Sequence, residues 1–275
     1  MNILFLGDLV GHLNFLYLKK NLKNIVSKYN INFVILNGEN AADGYGITPA
    51  ICNDLFSLGI NVITSGNHIW DQKEIIPYIA KNNKLLRPYN FDTDKPGIGY
   101  VIYPDSKGRK ILVANFICTV FMKNENNPFI AANSLLEKFK LTKDCHAIIV
   151  DLHGEAASEK QSFANHFDGK VSAVFGTHTH VPTSDLRILD KGTAYLTDAG
   201  MCGDYDSVIG GEKTQWTEKF LKDSAYRKID TASIKATICG VITKIDKNTG
   251  LASAAEQIII GDTLKNKVPN EKIFK

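Results

Sequence analysis

Residues 1–8 have the sequence Met-Asn-Ile-Leu-Phe-Leu-Gly-Asp, in which a short apolar run ends at Gly7 and Asp8. Similar runs recur along the chain. They are continuous rather than alternating in polarity, which is typical of strands in a sheet that is covered on both faces. We therefore predict buried strands at residues 3–6, 33–36, 61–64, 111–116, 147–152 and 173–175.

Helical patterns separate several of these runs. The clearest start signal is Thr48 followed by Pro49, a favourable cap and first-turn pair. Alternation of strands and helices predicts an α/β fold. The expected helices cover residues 13–29, 48–58, 74–82 and 131–139.

Two pairs of apolar segments flank loops with turn-forming residues. Residues 99–103 and 110–116 form one pair, and residues 236–245 and 251–260 form the other. The loops between them are rich in Asp, Gly, Ser and Asn, which favour tight turns. We expect two antiparallel hairpins, which either extend a mixed sheet or form a second one.

The composition is that of an ordinary globular protein, with 275 residues, 44% of them hydrophobic, and a net charge of +3. No basic stretch concentrates the charge, which argues against an extended nucleic-acid surface but is compatible with a small anionic substrate. We expect residues 1–275 to form a single domain. Its polar, Gly-rich segment 203–223 is either a lid loop or an ordinary surface loop.

Cysteine spacing and the N-terminus indicate the cellular setting. The five cysteines are widely spaced and form no Cys-x-x-Cys pair, which disfavours disulfides and thiolate zinc sites and favours a reducing cytoplasm. The first apolar run stops at Asp8, so it does not resemble a signal peptide. No apolar run reaches the ~18 residues of a membrane span, so we expect a cytoplasmic protein with no membrane partner.

Residues of the kinds that bind metals follow five of the predicted strands. In open α/β sheets, ligands bind outside the carboxyl ends of the strands, so these side chains are expected to meet. Carboxylates, amide oxygens and imidazoles together suit divalent Mn, Fe, Zn, Ni or Co. The sequence therefore predicts a metal centre built from Asp8, Glu39, Asn40, Asn67, His68, His153, His178 and His180.

Taken singly, most of these residues have simpler interpretations. Asp8 could be a cap or turn residue, Asn40 and Asn67 could be turn residues, and His153 could be a core histidine. The pair His178-x-His180 is the more specific signal. The remaining histidines lack such a context, and we interpret them as structural or surface residues: His12, His146 and His166.

Seven motifs occur in a fixed order along the chain, at residues 7–11, 37–42, 44–48, 66–71, 153–155, 176–183 and 197–201. This ordered set resembles the calcineurin-like metallophosphoesterases and, more closely, the YmdB-like phosphodiesterases. Most members of the wider superfamily have a His two residues after the first Asp and a bridging Asp in the second motif. Here those positions hold Val10 and Glu39, as in the YmdB-like group.

This resemblance implies a four-layer α/β/β/α sandwich of two mixed sheets flanked by helices. It implies two divalent ions per chain, Fe, Mn or Zn, with Glu39 bridging them. His68 would be the catalytic imidazole rather than a ligand. One ion would be bound by Asp8, Glu39, Asn40 and His180, and the other by Glu39, Asn67, His153 and His178.

The implied reaction is hydrolysis of a phosphodiester by a metal-activated hydroxide, with His68 assisting the leaving group. The resemblance suggests 2′,3′-cyclic nucleotides of the cAMP or cGMP type as substrates, and a homo-oligomer. The alternatives are a phosphomonoesterase or nucleotidase of the same superfamily, or a regulatory protein with a vestigial metal site. Three aromatic residues could either stack a base or simply pack: Tyr45, Tyr205 and Trp216.

Overall fold

The fold was analysed in a computed structural model that describes residues 1–122, 126–222 and 228–275. The helices are α1 (Gly11–Lys28), α2 (Pro49–Leu58), α3 (Ile75–Ile79), α4 (Pro128–Lys138), α5 (Ala157–His166) and α6 (Lys213–Lys222). The strands are β1 (Asn2–Leu6), β2 (Asp8–Leu9), β3 (Ile31–Asn37), β4 (Val62–Thr64), β5 (Tyr100–Pro104), β6 (Lys110–Ile117), β7 (Ala147–His153), β8 (Ala173–Thr177), β9 (Arg187–Ile188), β10 (Ala194–Leu196), β11 (Met201–Cys202), β12 (Thr237–Ile245) and β13 (Ala252–Gly261).

The first sheet has the strand order β13-β12-β1-β3-β4 and mixes parallel with antiparallel pairs. Successive side chains of a strand point to opposite faces. Leu4 and Leu6 of β1 accordingly pack on the outer face with Leu18 of α1. Ile3 and Phe5 belong to the core between the sheets. Every residue of β1 is buried, which explains its continuous apolar sequence.

The second sheet has the order β5-β6-β7-β8-β10-β9 and is also mixed. Its inner face meets the first sheet, where the rings of Phe5 and Phe175 lie 5.3 Å apart. Its outer face packs against α4 and α5 through residues such as Leu135 and Phe163. Helices therefore cover both outer faces of two packed sheets, and the predicted four-layer architecture is confirmed.

Both predicted hairpins are present, and each joins one of the sheets. β5 pairs antiparallel with β6 at the edge of the second sheet, and β12 pairs antiparallel with β13 in the first. The helix α2 begins as its sequence predicts, because the Thr48 side chain accepts a hydrogen bond from the backbone N–H of Ile51 at 3.2 Å. Gly59 ends this helix in the left-handed conformation.

Some local predictions were wrong. The helix expected at 74–82 covers only Ile75–Ile79, and the segment 203–223 includes the helix α6 rather than only a loop. Its last residue, 223, lies outside the described residues. Asp8 does not directly follow the first strand but begins β2, which pairs with β11. The helix α5 was missed because it is mostly polar and buries only three side chains, Lys160, Phe163 and Ala164.

Among the described residues, no helix combines the length and the hydropathy needed to cross a bilayer.

We expect Phe5→Ala to lower the free energy of unfolding by about 3–5 kcal/mol, because it would leave a cavity between the two sheets. Chemical denaturation would measure the change. Phe121→Ala is the matched control, because the Phe121 side chain is 85% exposed. Its effect should stay within about 0.5 kcal/mol. Equal effects of the two substitutions would contradict this view of the core.

Candidate metal centre

The predicted ligands meet where the two sheets adjoin, at the carboxyl ends of their central strands. Glu39 and Asn40 follow β3, Asn67 and His68 follow β4, His153 ends β7, and His178 and His180 follow β8. Asp8, the eighth predicted site residue, begins β2. Contacts of 4.0 Å or less connect seven of the eight residues, all except Asn67, into one cluster. Asn67 lies in the same loop, directly before His68.

One part of the cluster is built on His180. Its Nδ1 donates to the carbonyl oxygen of Ile209 at 2.7 Å. Burial lowers the pKa of His180, so the ring is neutral and Nε2 carries a lone pair. That atom lies 3.1 Å from Asn40 Oδ1 and 3.8 Å from Asp8 Oδ1. The amide of Asn40 is held in this orientation because its Nδ2 donates to Gly44 O at 2.9 Å.

The other part is built on His153. Thr177 Oγ1 donates to Asp151 Oδ1 at 2.6 Å, so it accepts from His153 Nδ1 at 2.9 Å. His153 Nε2 then faces Glu39 Oε2 at 2.9 Å and His178 Nδ1 at 3.1 Å. Burial, together with the charge of His153, lowers the pKa of His178 to about 3, so His178 is neutral. Ring nitrogens and a carboxylate oxygen therefore converge on one point.

Three buried oxygens in this region have no hydrogen-bond partner among the described residues. They are Asp8 Oδ1, Glu39 Oε2 and Asn67 Oδ1. The contact of Glu39 Oε2 with His153 is close but lacks hydrogen-bond geometry. Buried acceptors without donors cost free energy. Acceptors that face each other in this way fit divalent cations, and the donor types match the predicted set.

In the described part of the chain, no group of three or more His, Cys, Asp or Glu side chains is by itself arranged to hold a metal ion. The predicted ligand set also includes the amide oxygens of Asn40 and Asn67. The fit to a cation therefore rests on the facing acceptors and the unpartnered oxygens.

His68 lies beside the cluster and is held at two points. Its backbone N–H donates to Glu39 Oε1 at 2.9 Å, and its Nδ1 contacts Asp71 Oδ2 at 2.6 Å. About a third of the side chain, 32%, is exposed. Asp71 belongs to the quoted motif 66–71, but sequence reasoning gave it no role. The ring of His68 is thus oriented and accessible.

Comparison with known proteins identifies the family. The model of the family described as YmdB-like protein matches residues 4–258. The chain belongs to the YmdB-like protein family. It is 40% identical over 262 residues to a 2′,3′-cyclic-nucleotide 2′-phosphodiesterase of Bacillus subtilis (strain 168), covering 95% of this chain and 98% of the relative.

Two solved structures resemble this YmdB-like protein over most of its length. A protein from Mycoplasma pneumoniae described as a novel phosphatase has a TM-score of 0.88 and 38% identity, covering 95% of this chain and 93% of the other. A hypothetical protein from Thermus thermophilus has a TM-score of 0.87 and 33% identity, covering 95% of this chain and 100% of the other. These similarities agree with the fold described above.

A buried ion pair that was not predicted from the sequence stabilises the loop that carries His178 and His180 in this YmdB-like protein. Lys160 is fully buried, and its Nζ donates to Thr177 O at 2.8 Å and to Asp198 Oδ2 at 3.0 Å. The same carboxylate oxygen accepts from the backbone N–H of Thr179 at 3.1 Å. The ion pair therefore braces the loop 177–180. Asp198 lies in the quoted motif 197–201, whereas Lys160 in a polar helix gave no signal.

The three aromatic candidates separate into two kinds. Tyr205 packs, because its hydroxyl accepts from the backbone N–H of Met201 at 2.7 Å and donates to His180 O at 3.0 Å. Tyr45 and Trp216 instead line the cavity that opens onto the cluster. The other histidines, His12, His146 and His166, are exposed, as predicted.

The backbone at Gly66 lies very close to the side chains of Glu39 and His153 in the cluster. A Cβ atom at this position would overlap Glu39 Oε2 and His153 Nε2. Both are backed by packed structure, so they cannot simply move away. Glycine is therefore required here for steric reasons.

We expect Gly66→Ala to lower the bound metal content severely while the protein remains folded. The added methyl group would displace Glu39 from His153. Elemental analysis after loading with Mn²⁺ or Zn²⁺ would measure the loss, with circular dichroism as the folding check. Gly108→Ala is the control for backbone strain, because Gly108 has a φ of +75° that disfavours alanine while no described atom lies within 4 Å of a Cβ there. Full metal content in Gly66→Ala would show that this approach is not needed.

Electrostatics show that the cluster attracts positive charge. Burial raises the pKa of Asp8 to about 8. Burial alone would lower the pKa of His153, but the contact with Glu39 and the charges of Glu39, Asp8 and Asp151 together outweigh it and raise this pKa to about 9. In the absence of a cation, protons on these two groups therefore offset the buried negative charge.

A metal ion must compete with these protons, because only the Asp8 carboxylate and a neutral His153 can bind it. We expect Mn²⁺ affinity to rise as the pH increases from about 6 to about 8, with release of protons on binding. Calorimetry in two buffers of different ionisation enthalpy would measure the release. Binding heats that do not depend on the buffer would contradict this prediction.

Proposed function

We propose that this YmdB-like protein is a dinuclear metal-dependent phosphodiesterase whose substrates are 2′,3′-cyclic nucleotides. The observation that supports this most directly is the pair of adjoining acceptor clusters at the carboxyl ends of the central strands. The Bacillus subtilis relative, which is named for that activity, supports the substrate class.

In this proposal each acceptor cluster holds one divalent cation. Asp8, Asn40 and His180 would bind the first ion, and Asn67, His153 and His178 the second. Glu39 would bridge the two. The adjacency of the clusters favours this arrangement, because His153 Nδ1 lies 4.0 Å from Asp8 Oδ1. The set suits Mn, Fe or Zn, and the ligand types do not distinguish among these metals.

Two such cations, when bound, would lower the pKa of a water molecule and would stabilise the negative charge that develops on the phosphate oxygens. The chain contributes two carboxylates, Asp8 and Glu39, to this pair. The site therefore remains positive, which favours an anionic phosphodiester even though the whole chain carries a net charge of only +3.

His68 is proposed to assist the leaving group. Asp71 contacts its Nδ1, so Nε2 is the ring nitrogen available to the cavity. A protonated His68 can donate from this atom to the departing alkoxide oxygen, and such assistance is worth ~10²–10⁴-fold in rate. Asp71 would then act as a positioning residue that keeps the ring in place.

The cavity can accept a mononucleotide. Its volume is about 360 Å³, and its walls include Glu39, His68, His178 and His180. This size falls within the range of ~300–1,000 Å³ typical of small-molecule sites. The substrate and the proposed metal ions would thus share one cleft.

Two alternatives remain to be compared. A phosphomonoesterase is suggested by the Mycoplasma pneumoniae protein described as a phosphatase. A vestigial, non-catalytic site is disfavoured because all eight predicted residues are retained in one region.

We further propose a reducing, cytoplasmic setting, since all five cysteines are free and buried. The homo-oligomer stays a prediction.

We expect His68→Ala to retain its bound metal and to lose about 10²–10⁴-fold in kcat for a 2′,3′-cyclic nucleotide. Asp8→Ala should instead lose metal at one site. Elemental analysis and turnover, measured on the same preparations, would separate the two effects. Loss of metal in His68→Ala would reassign it as a ligand, and unchanged stoichiometry in Asp8→Ala would contradict its role.

The substrate class is tested by a panel on Mn²⁺-, Fe²⁺- and Zn²⁺-loaded protein. The panel contains 2′,3′-cyclic, 3′,5′-cyclic and linear phosphodiesters and a nucleoside monophosphate. We expect the 2′,3′-cyclic compounds to be hydrolysed with the highest kcat/KM. Preference for the monoester would favour the phosphatase alternative, and no turnover with any metal would favour the vestigial site.

A further inference from the structure

One wall of the cavity is apolar, and its side chains are not among the proposed metal ligands. Tyr45, Ile209, Trp216 and Ile229 line it. The wall is continuous, because the Tyr45 hydroxyl lies 3.5 Å from the backbone nitrogen of Ile229. The side chains of Ile229 and Trp216 both lie against Gly211. The proposed hydrolysis uses none of these four side chains.

This wall begins directly beside the proposed catalytic group. The ring of Tyr45 lies edge-on to the ring of His68, with centroids 5.5 Å apart. A ligand whose phosphate reached the acceptor clusters would therefore place its other end along the wall. Gly44, Gly210 and Gly211 also line the cavity.

Trp216 presents a large aromatic surface at the far end of the wall. It is stacked on Phe220 with ring centroids 5.9 Å apart and an interplanar angle of 19°. Phe220 itself is 79% exposed, whereas Trp216 is half-buried and lines the cavity. A lysine lies over each of the two aromatic rings of the wall. Lys219 Nζ is 4.7 Å from the centroid of the Trp216 ring, and Lys228 Nζ is 5.6 Å from the centroid of the Tyr45 ring.

We propose that the wall formed by Tyr45, Ile229 and Trp216 binds the nucleobase of the substrate. Flat aromatic and apolar surfaces are what a base requires, since base–aromatic stacking tolerates any base. The inference rests on the proposed function and makes it more specific. The substrates are nucleoside cyclic phosphates, which are preferred over diesters that lack a base, and discrimination among the four bases is weak.

Base binding can be measured without catalysis. The chain has two tryptophans, so Trp70→Phe leaves Trp216 as the single fluorescent indole. Trp70 packs against Phe91 with centroids 5.2 Å apart, and its Nε1 has no hydrogen-bond partner among the described residues to lose. We expect adenosine, which contains no phosphate, to quench the fluorescence of this variant in a saturable way. Ribose should have no effect.

Kinetics provide the second measurement. In Trp216→Ala, the ratio of kcat/KM for adenosine 2′,3′-cyclic phosphate to kcat/KM for ethylene phosphate, a cyclic diester without a base, should fall at least about tenfold. Phe121→Ala is the matched control, because this aromatic residue is 85% exposed and does not line the cavity. Its ratio should equal that of the parent protein.

The outcomes separate the inference from the function on which it rests. No quenching by adenosine, together with an unchanged ratio in Trp216→Ala, would overturn the base site while leaving phosphodiesterase activity intact. Absence of all phosphodiester hydrolysis would overturn the proposed function. Saturable adenosine quenching in that same protein would still support the base site.

Discussion

The convergence of proton acceptors at the junction of the two sheets is the constraint on which the rest of the site depends. His153 Nε2 faces Glu39 Oε2 at 2.9 Å, and His180 Nε2 faces Asn40 Oδ1 at 3.1 Å. Such atoms repel one another unless a proton or a metal cation lies between them. Hydrogen bonds on the far side of each ring hold the imidazoles in place, so the arrangement cannot relax by rotating a ring.

The architecture produces this convergence because parallel strands from both sheets end at the same place. β3 and β4 of the first sheet deliver Glu39 and His68, and β7 and β8 of the second deliver His153 and His178. The inner faces of the sheets pack through large apolar side chains, which makes the framework rigid. A rigid framework can hold unfavourable acceptor contacts whose cost a divalent cation would offset.

Support and specificity come from parts of the chain that do not look functional. Lys160 lies in a mostly polar helix, yet it is fully buried and braces the loop of His178 and His180 through Asp198. The apolar wall of the cavity comes from Tyr45, Ile209, Ile229 and Trp216, the last of which lies in α6. The proposed reaction and the proposed base site thus use different segments of one cleft.

Local sequence determined most of the buried strands, both hairpins and the residue types of the proposed metal ligands. A fully buried strand needs a continuous apolar run, and the polar residues that follow the run are recognisable in the sequence. Family resemblance added the four-layer arrangement. Only the tertiary structure decided that Tyr205 packs while Trp216 lines the cavity, and that Lys160 pairs with Asp198. These outcomes depend on contacts between segments distant in the chain, and such contacts leave no periodic pattern in the sequence.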